Sequence, residues 1–302
     1  DDYLGNVIKK HENTREEKEQ DRIRHVDRMN AQTGPIFLAY RQDEAIRRLV
    51  ARVKSQAPLY DFVTEDGVGH RVWRTADPES CAALEAAFGQ IPALYIADGH
   101  HRAASAVKVG LKRRKEHPDY TGEEPFNYFL SVLFPDEELH ILPYNRVVRD
   151  LNGMDEKEFL KAVEKNFEVE CVGTEAFAPE EKGSFGMFLD GSWYSLKARE
   201  SCRSKDPVKG LDVSILQDCL LEPVLGIQDP RTDKRIDFVG GIRGLGELER
   251  RTREDMRAAF SMYPTSMAEL LSVADAGRLM PPKSTWFEPK LRSGLFIHGL
   301  ED

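Results

Sequence analysis

The sequence predicts an α+β fold, and three observations predict it. Apolar runs of strand type, such as Ile36–Tyr40, are interspersed with segments whose apolar residues recur at helical spacing, such as Glu44–Lys54. The two patterns are mixed along the whole chain, with no internal repeat. With 302 residues, 40% of them hydrophobic and 31% charged, the composition is ordinary for a globular protein and the length suits one or two domains.

Taken in order, Thr14 followed by Glu17 has the spacing of a capping box and opens a charged helix over 16–28. That leaves His11, Glu12 and Asn13 in the loop before it. A strand over 36–40 and a helix over 44–54 follow, then a strand within 68–73 and a helix over 80–88. Residues 94–114 read as strand, tight turn and helix. After a polar stretch come strands over 127–133 and 139–147. Asp150, Asn152 and Gly153 interrupt the pattern and mark the best boundary, dividing the chain into portions 1–150 and 151–302. Beyond it the spacing predicts a helix over 156–166, strands over 168–172 and 186–196, a surface loop over 199–210 and a helix over 212–221. A strand over 235–240, helices over 251–259 and 267–274, and a strand over 294–298 complete the chain.

Net charge −9 argues against a surface that neutralises a nucleic-acid backbone, which takes Lys and Arg contacts to phosphate. No apolar run approaches the roughly 20 residues of a membrane span, and Asp1-Asp2-Tyr3 does not open a signal peptide. A soluble cytoplasmic enzyme is expected, its oligomeric state left open. Cys81, Cys171, Cys202 and Cys219 form no C-x-x-C pair and read as buried, inert thiols.

The densest chemistry lies in Ala97-Asp98-Gly99-His100-His101-Arg102-Ala103-Ala104, where a tight turn, two imidazoles and a guanidinium open a helix. The first backbone N–H groups of a helix lack internal partners and sit at the positive end of its dipole, so phosphate or carboxylate is favoured there. Gly99 permits close backbone approach, Arg102 offers a planar fork, and His100 and His101 could donate to phosphate oxygens or bind a metal. In the competing reading Asp98 caps the helix, Gly99 makes the turn and the histidines are surface polar residues.

Lys9-Lys10-His11-Glu12-Asn13-Thr14-Arg15 supplies the residue types of a phosphoryl-transfer site: cations for phosphates, and a carboxylate to accept the acceptor's proton. Glu12 is the candidate base, with Lys9, Lys10 and Arg15 as charge partners and His11 and Asp98 completing the catalytic set. Against this, basic residues flanking a charged helix usually form a solvated face.

Three C-terminal segments also offer ligand groups. Asp229-Pro230-Arg231-Thr232-Asp233 reads first as a self-neutralised turn, yet Gly240 and Gly241 soon after it would permit close approach to a ligand, which makes Arg231 and Asp233 substrate candidates. Lys283, Ser284 and Thr285 present an ammonium and two hydroxyls after two stiffening prolines, a phosphate contact without the glycines of a P-loop. Trp286 and Phe287 could stack on a base. Asp98, His100 and His101 diverge too widely at a helix start to share one zinc ion, whereas magnesium, arriving with nucleotide phosphates, needs only one or two carboxylates.

These segments, with Pro143-Tyr144-Asn145-Arg146-Val147-Val148, Asp212-Val213-Ser214-Ile215-Leu216, Phe238-Val239-Gly240-Gly241 and Met280-Pro281-Pro282-Lys283, run in order along almost the whole chain. In them the chain resembles the bacterial and archaeal domain-of-unknown-function family 1015, and more distantly the ParB and free serine kinase superfamily. Asp98 to Arg102 matches that superfamily's Asp-Gly-His-Xaa-Arg signature. The resemblance implies a ParB-like, serine-kinase-like mixed portion to about residue 150, with an α+β portion packed on it. It also implies ATP or ADP as cofactor with magnesium, and a small-molecule substrate, free serine or phosphoserine leading. Phosphoserine hydrolysis, or a non-catalytic nucleotide- or ligand-binding regulatory module, are the alternatives. Members of the family carry a long segment before the Lys-Lys-His-Glu block, which here begins close to Asp1, so the chain reads as a fragment.

Overall fold

The computed structural model describes residues 1–288 and 290–301. In chain order, β1 (Ile8–Lys9), α1 (Glu16–Met29), β2 (Ala31–Gln32), β3 (Ile36–Tyr40) and α2 (Glu44–Lys54) lead into a hairpin of β4 (Tyr60–Val63) and β5 (Gly69–Val72). Then come α3 (Pro78–Phe88), β6 (Leu94–Asp98), α4 (His100–Glu116), β7 (Ser131–Pro135), β8 (His140–Leu142) and β9 (Tyr144–Val148). The chain continues with α5 (Glu156–Val163), β10 (Phe167–Gly173), β11 (Ser184–Leu189), β12 (Ser192–Ala198) and α6 (Asp212–Leu216). Last are β13 (Ile236–Gly240), α7 (Leu245–Glu254), β14 (Ala258–Met262), α8 (Met267–Asp275), β15 (Trp286–Glu288) and β16 (His298–Gly299). The fold is α+β. A mixed four-stranded sheet has the order β1-β6-β3-β7, and an antiparallel six-stranded sheet the order β10-β12-β11-β14-β9-β13. Strand β9, which ends just before the 149–155 interruption, is paired within the second sheet.

Strand β3 explains how the two sheets come together. All five of its residues are buried. Because side chains alternate across a strand, Ile36 and Leu38 pack with Ile8, Ile96, Ala103 and Ala106 under α4, while Phe37 and Ala39 join the large core of the second sheet. Phe37 meets Phe134 and Phe287 at ring-centroid distances of 4.9 and 5.7 Å. Truncating a phenylalanine buried this way costs about 3–5 kcal/mol.

Local signals set many helix ends. Asp43 accepts from the backbone N–H groups of Ala45 and Ile46, and Asp77 caps α3 with Pro78 in its first turn. Asp155–Glu158 and Ser266–Glu269 form complete capping boxes on α5 and α8. The expected Thr14–Glu17 box is absent: Arg15 holds the N-cap position, which leaves Thr14 outside the helix, and its hydroxyl donates to Glu19 at 2.6 Å.

Other expectations are corrected by tertiary context. The strand expected over 139–147 breaks at Pro143 into β8, which pairs β15, and β9. The strand expected over 186–196 is the hairpin β11–β12, turning at Asp190 and Gly191 with φ of 48° and 80°. The helix expected over 251–259 lies earlier, as α7, and Ala258–Met262 is instead a fully buried strand, packing at the sheet centre overriding alanine's helix propensity. The strand expected over 127–133 begins later, at Ser131, and the one over 294–298 is limited to His298–Gly299. The helix expected over 212–221 changes from α to π turns at Gln217. Cys81 and Cys171 are exposed and Cys202 and Cys219 half-buried, so the thiols are not the buried set expected. No helix among the described residues is long and apolar enough to cross a membrane.

Asp275, at the end of α8, ties the second core to the first sheet. Its carboxylate accepts from Lys9 Nζ at 2.6 Å, Tyr95 Oη at 2.7 Å and Arg41 Nη2 at 2.6 Å. Burial alone would raise its pKa, and the three hydrogen bonds outweigh that effect, holding it below the usual aspartate range. The network is partly solvated, so Asp275→Asn is expected to cost only about 1–2 kcal/mol, less than the loss of Phe37. A depressed pKa contributes stability that is present above the unfolded value and lost as pH falls through the folded one. Urea unfolding should therefore separate Asp275→Asn from wild type at neutral pH and bring the two together in acid.

Candidate functional site

The strand-turn-helix corner forms at β6 and α4. Gly99 has φ of 96°, a conformation that favours glycine, and the Arg102 guanidinium lies against it, 2.8 Å from where a Cβ would stand. Gly99 is itself the N-cap residue, and among the described residues no side chain caps α4. Asp98 is thus not the cap, and the first N–H groups of α4 stay free. They face an open cleft of about 680 Å³ between α1 and α4, floored by Gln32, Thr33, Gly34 and Ser293.

The two histidines that open α4 hold the preceding block in place. His100 Nε2 accepts from the His11 backbone N–H at 3.4 Å, and His101 Nε2 accepts from the Arg15 backbone N–H at 3.0 Å. Accepting at Nε2 puts the His100 proton on Nδ1, which lies 3.8 Å from Glu12 Oε2. That separation is electrostatic contact rather than a hydrogen bond. His11 and His100 are 1% and 5% exposed, and their rings meet edge to face at 4.6 Å. Burial lowers the His11 pKa to about 4, and burial followed by the charges of His11, His101 and Lys10 holds His100 well below its ordinary value. Burial and then Lys18 also lower His101. Neither His11 ring nitrogen has a hydrogen-bond partner among the described residues.

Glu12 lines the cleft beside this neutral pair. Its side chain is 41% exposed to the cleft. Burial, and next the charge of Asp98, raise its pKa, while Lys283 and Lys290 pull it down. Asp98 Oδ2 stands 3.9 Å from Arg102 Nη2 and 3.5 Å from Lys290 Nζ. The Arg102 Nε has no hydrogen-bond partner among the described residues.

The remaining sequence candidates divide. Lys9 is held by Asp275 rather than facing the cleft, Lys10 lies over the Tyr3 ring at 5.8 Å, and Arg15 is an exposed N-cap residue. Lys283 acts on Glu12, and its Nζ is 3.3 Å from Tyr144 Oη. Ser284 is 2% exposed, its Oγ donating to the Pro281 carbonyl, and so is not presented to the cleft; neither Ser284 nor the half-buried Thr285 lines it. Arg231 pairs with Asp229 and Asp233 with Arg235, the self-neutralised turn, and neither lines the cleft. Cβ atoms on Gly240 and Gly241 would meet the Trp286 ring at 2.5 Å and Pro143 at 2.7 Å, so the glycine pair makes room for packing. Phe287 is buried against Phe37.

The α1 side of the cleft carries both signs of charge, Glu17 and Asp21 beside Lys18, Arg22 and Arg24. Lys18, Arg22 and His25 line the cleft across from Arg102. Their i, i+4, i+7 spacing puts them on one face, the signal by which they could have been found.

The chain belongs to the family described as Protein of unknown function (DUF1015), which matches residues 1–214. No curated protein matches it. Among solved structures it is similar to a free serine kinase in complex with AMP, at 14% identity and TM-score 0.43, covering 94% of this chain and 85% of that one. SbnI with a C-terminal truncation from Staphylococcus aureus is similar at 10% identity and TM-score 0.47, with 96% and 82% covered. A conserved hypothetical protein from Pyrococcus furiosus is similar at 15% identity and TM-score 0.41, with 95% and 90% covered.

The buried His11 should stay neutral between about pH 5 and 8, where an ordinary histidine titrates. Its ring protons, followed by NMR, are expected to shift with a midpoint near 4. Because the folded value lies below the ordinary 6.5, the stability that the neutral ring contributes is complete above 6.5 and is lost as pH falls towards 4. A midpoint near 6.5 would show that the ring is solvated.

Proposed function

We propose that the protein catalyses nucleotide-dependent phosphoryl transfer to a small hydroxylated metabolite. The observation that carries this reading is one cleft lined by both the Glu12 carboxylate and the uncapped start of α4 with Arg102. The α4 N–H groups, Arg102, Lys18 and Arg22 bind the donor's phosphates and stabilise the charge that spreads over the transferred group. Glu12 accepts the hydroxyl proton as the acceptor oxygen bonds to phosphorus and the bond to the leaving phosphate breaks. His100 and His101, neutral and fixed on the loop, keep that carboxylate at the cleft wall. Magnesium carried in on the phosphates would need only one or two protein carboxylates; Asp98, on the cleft wall, is the residue that would hold it, and the ion would offset phosphate charge. Serine is the leading acceptor, on the match of Asp98 to Arg102 to the serine-kinase signature, and the donor is ATP or ADP.

Turnover of serine with ATP or ADP, watched by phosphorus NMR, tests the reading. Nucleotide binding without turnover would instead assign a sensing module, and hydrolysis of phosphoserine without nucleotide a phosphatase. Glu12→Gln should lower kcat about a hundredfold or more with nucleotide affinity unchanged. In the wild type kcat should rise with pH through a midpoint above glutamate's ordinary 4.5, since the working form is the carboxylate and its pKa is raised. Arg102→Ala should weaken nucleotide binding by about 1.5–3 kcal/mol in calorimetry, and an unchanged affinity counts against the phosphate assignment.

A further inference from the structure

Among the described residues of α1, Glu19 alone is buried, at 4% exposed. The apolar Ile23 and Val26 of the same helix are only partly covered. A helix usually seats an apolar side chain at such a place, because taking a carboxylate out of water is costly and a hydrophobic residue of similar volume packs as well or better. Packing alone does not call for a carboxylate here.

Glu19 is bonded on both oxygens. Oε2 accepts from Thr14 Oγ1 at 2.6 Å, the length of a charge-assisted bond, and Oε1 pairs with Lys108 of α4. The Lys108 bond and then the Thr14 bond hold the Glu19 pKa below its ordinary value, so it is an acceptor at neutral pH. Its backbone is tied down as well: the fully buried Ser105 Oγ donates to the His101 carbonyl at 2.6 Å and lies 3.2 Å from the Glu19 carbonyl. Thr14 is two residues from Glu12, and the loop that carries both is otherwise held at His11 and Arg15, by backbone bonds with His100, His101 and Met280. The Thr14–Glu19 bond is the shortest of these anchors, and neither of its partners lines the cleft.

We infer that Glu19 is a positioning residue: bonded to Thr14, it fixes the loop so that the Glu12 carboxylate stands at the cleft wall where the reaction needs it. Misplacing a reacting group by about 1 Å costs up to roughly a hundredfold in rate. A loop released at Thr14 therefore lowers kcat while the phosphate contacts of Arg102 and the α4 N–H groups stay whole. The effect on rate rests on the phosphoryl-transfer reading, but the placing of Glu12 can be measured without turnover.

The test compares Thr14→Val, Thr14→Ser and Glu19→Met with the wild type, following the Glu12 carboxyl titration by carbon NMR, ADP affinity by calorimetry, and kcat. Burial is the largest cause of the raised Glu12 pKa, so a freed loop brings its midpoint down towards the ordinary 4.5 while Asp98, Lys283, Lys290 and His100 are untouched. Thr14→Val and Glu19→Met are expected to lower that midpoint and to lower kcat about ten- to a hundredfold with ADP affinity unchanged. Thr14→Ser, which keeps the hydroxyl, should restore both. A Glu12 midpoint unchanged in Thr14→Val, or a Thr14→Ser that behaves like Thr14→Val, overturns the assignment. So does an ADP affinity that falls in step with the midpoint, which marks a loosened fold rather than a displaced carboxylate. A wild type that transfers no phosphate, with a midpoint that falls in Thr14→Val and returns in Thr14→Ser, keeps the positioning role and removes the phosphoryl-transfer reading.

Discussion

Two neighbouring imidazoles hold the candidate site together. Successive side chains at a helix start diverge by about 100°, so His100 and His101 cannot converge on one point, and each reaches a different part of the facing loop. One accepts from the His11 N–H and the other from the Arg15 N–H, which brackets Glu12 and sets it on the cleft wall. Only an imidazole with a free lone pair can accept, so the arrangement depends on both rings being neutral. Burial favours that neutrality, most strongly at His100 and less at the half-buried His101, since removing charge from water is costly. The loop, the helix start and the carboxylate are thereby one unit.

That unit is rigidly placed because β3 and β6 are buried on both faces. Leu38 and Ile96 pack under α4, while Phe37, Ala39 and Tyr95 belong to the core that continues into the antiparallel sheet. The Asp275 network adds direction to this packing, as it fixes which side chains of the first sheet meet the end of α8. Lys9 is committed to that network, so the basic residues of the N-terminal block serve the fold before they serve a ligand.

Charges of both signs line the cleft. Along α1, Lys18 and Arg22 stand among Glu17 and Asp21, and at the start of α4 Arg102 and the uncapped N–H groups supply the positive end that suits an anion. At the other end Glu12 and Asp98 oppose each other and are countered by Lys283 and Lys290. The proton affinity of Glu12 is the outcome of that contest: burial and Asp98 raise it, and the two lysines limit the rise.

Where physics is local, the sequence was legible. The five-residue apolar run of β3 and the amphipathic spacing of α2 appear as read. So does the strand-turn-helix corner, whose Gly99 is favoured by a positive φ. Even the Asp190-Gly191 hairpin and the shared face of Lys18, Arg22 and His25 were written in short-range signals, although they passed unread. What depends on distant partners was not legible. Nothing local distinguishes Lys9, drawn to Asp275, from Lys283, drawn to Glu12, nor makes Ala258–Met262 a strand. The sequence alone determined the elements and the chemical types at the corner. Only the tertiary structure decided which charges meet, because Coulombic and desolvation energies depend on separation and burial rather than on order along the chain.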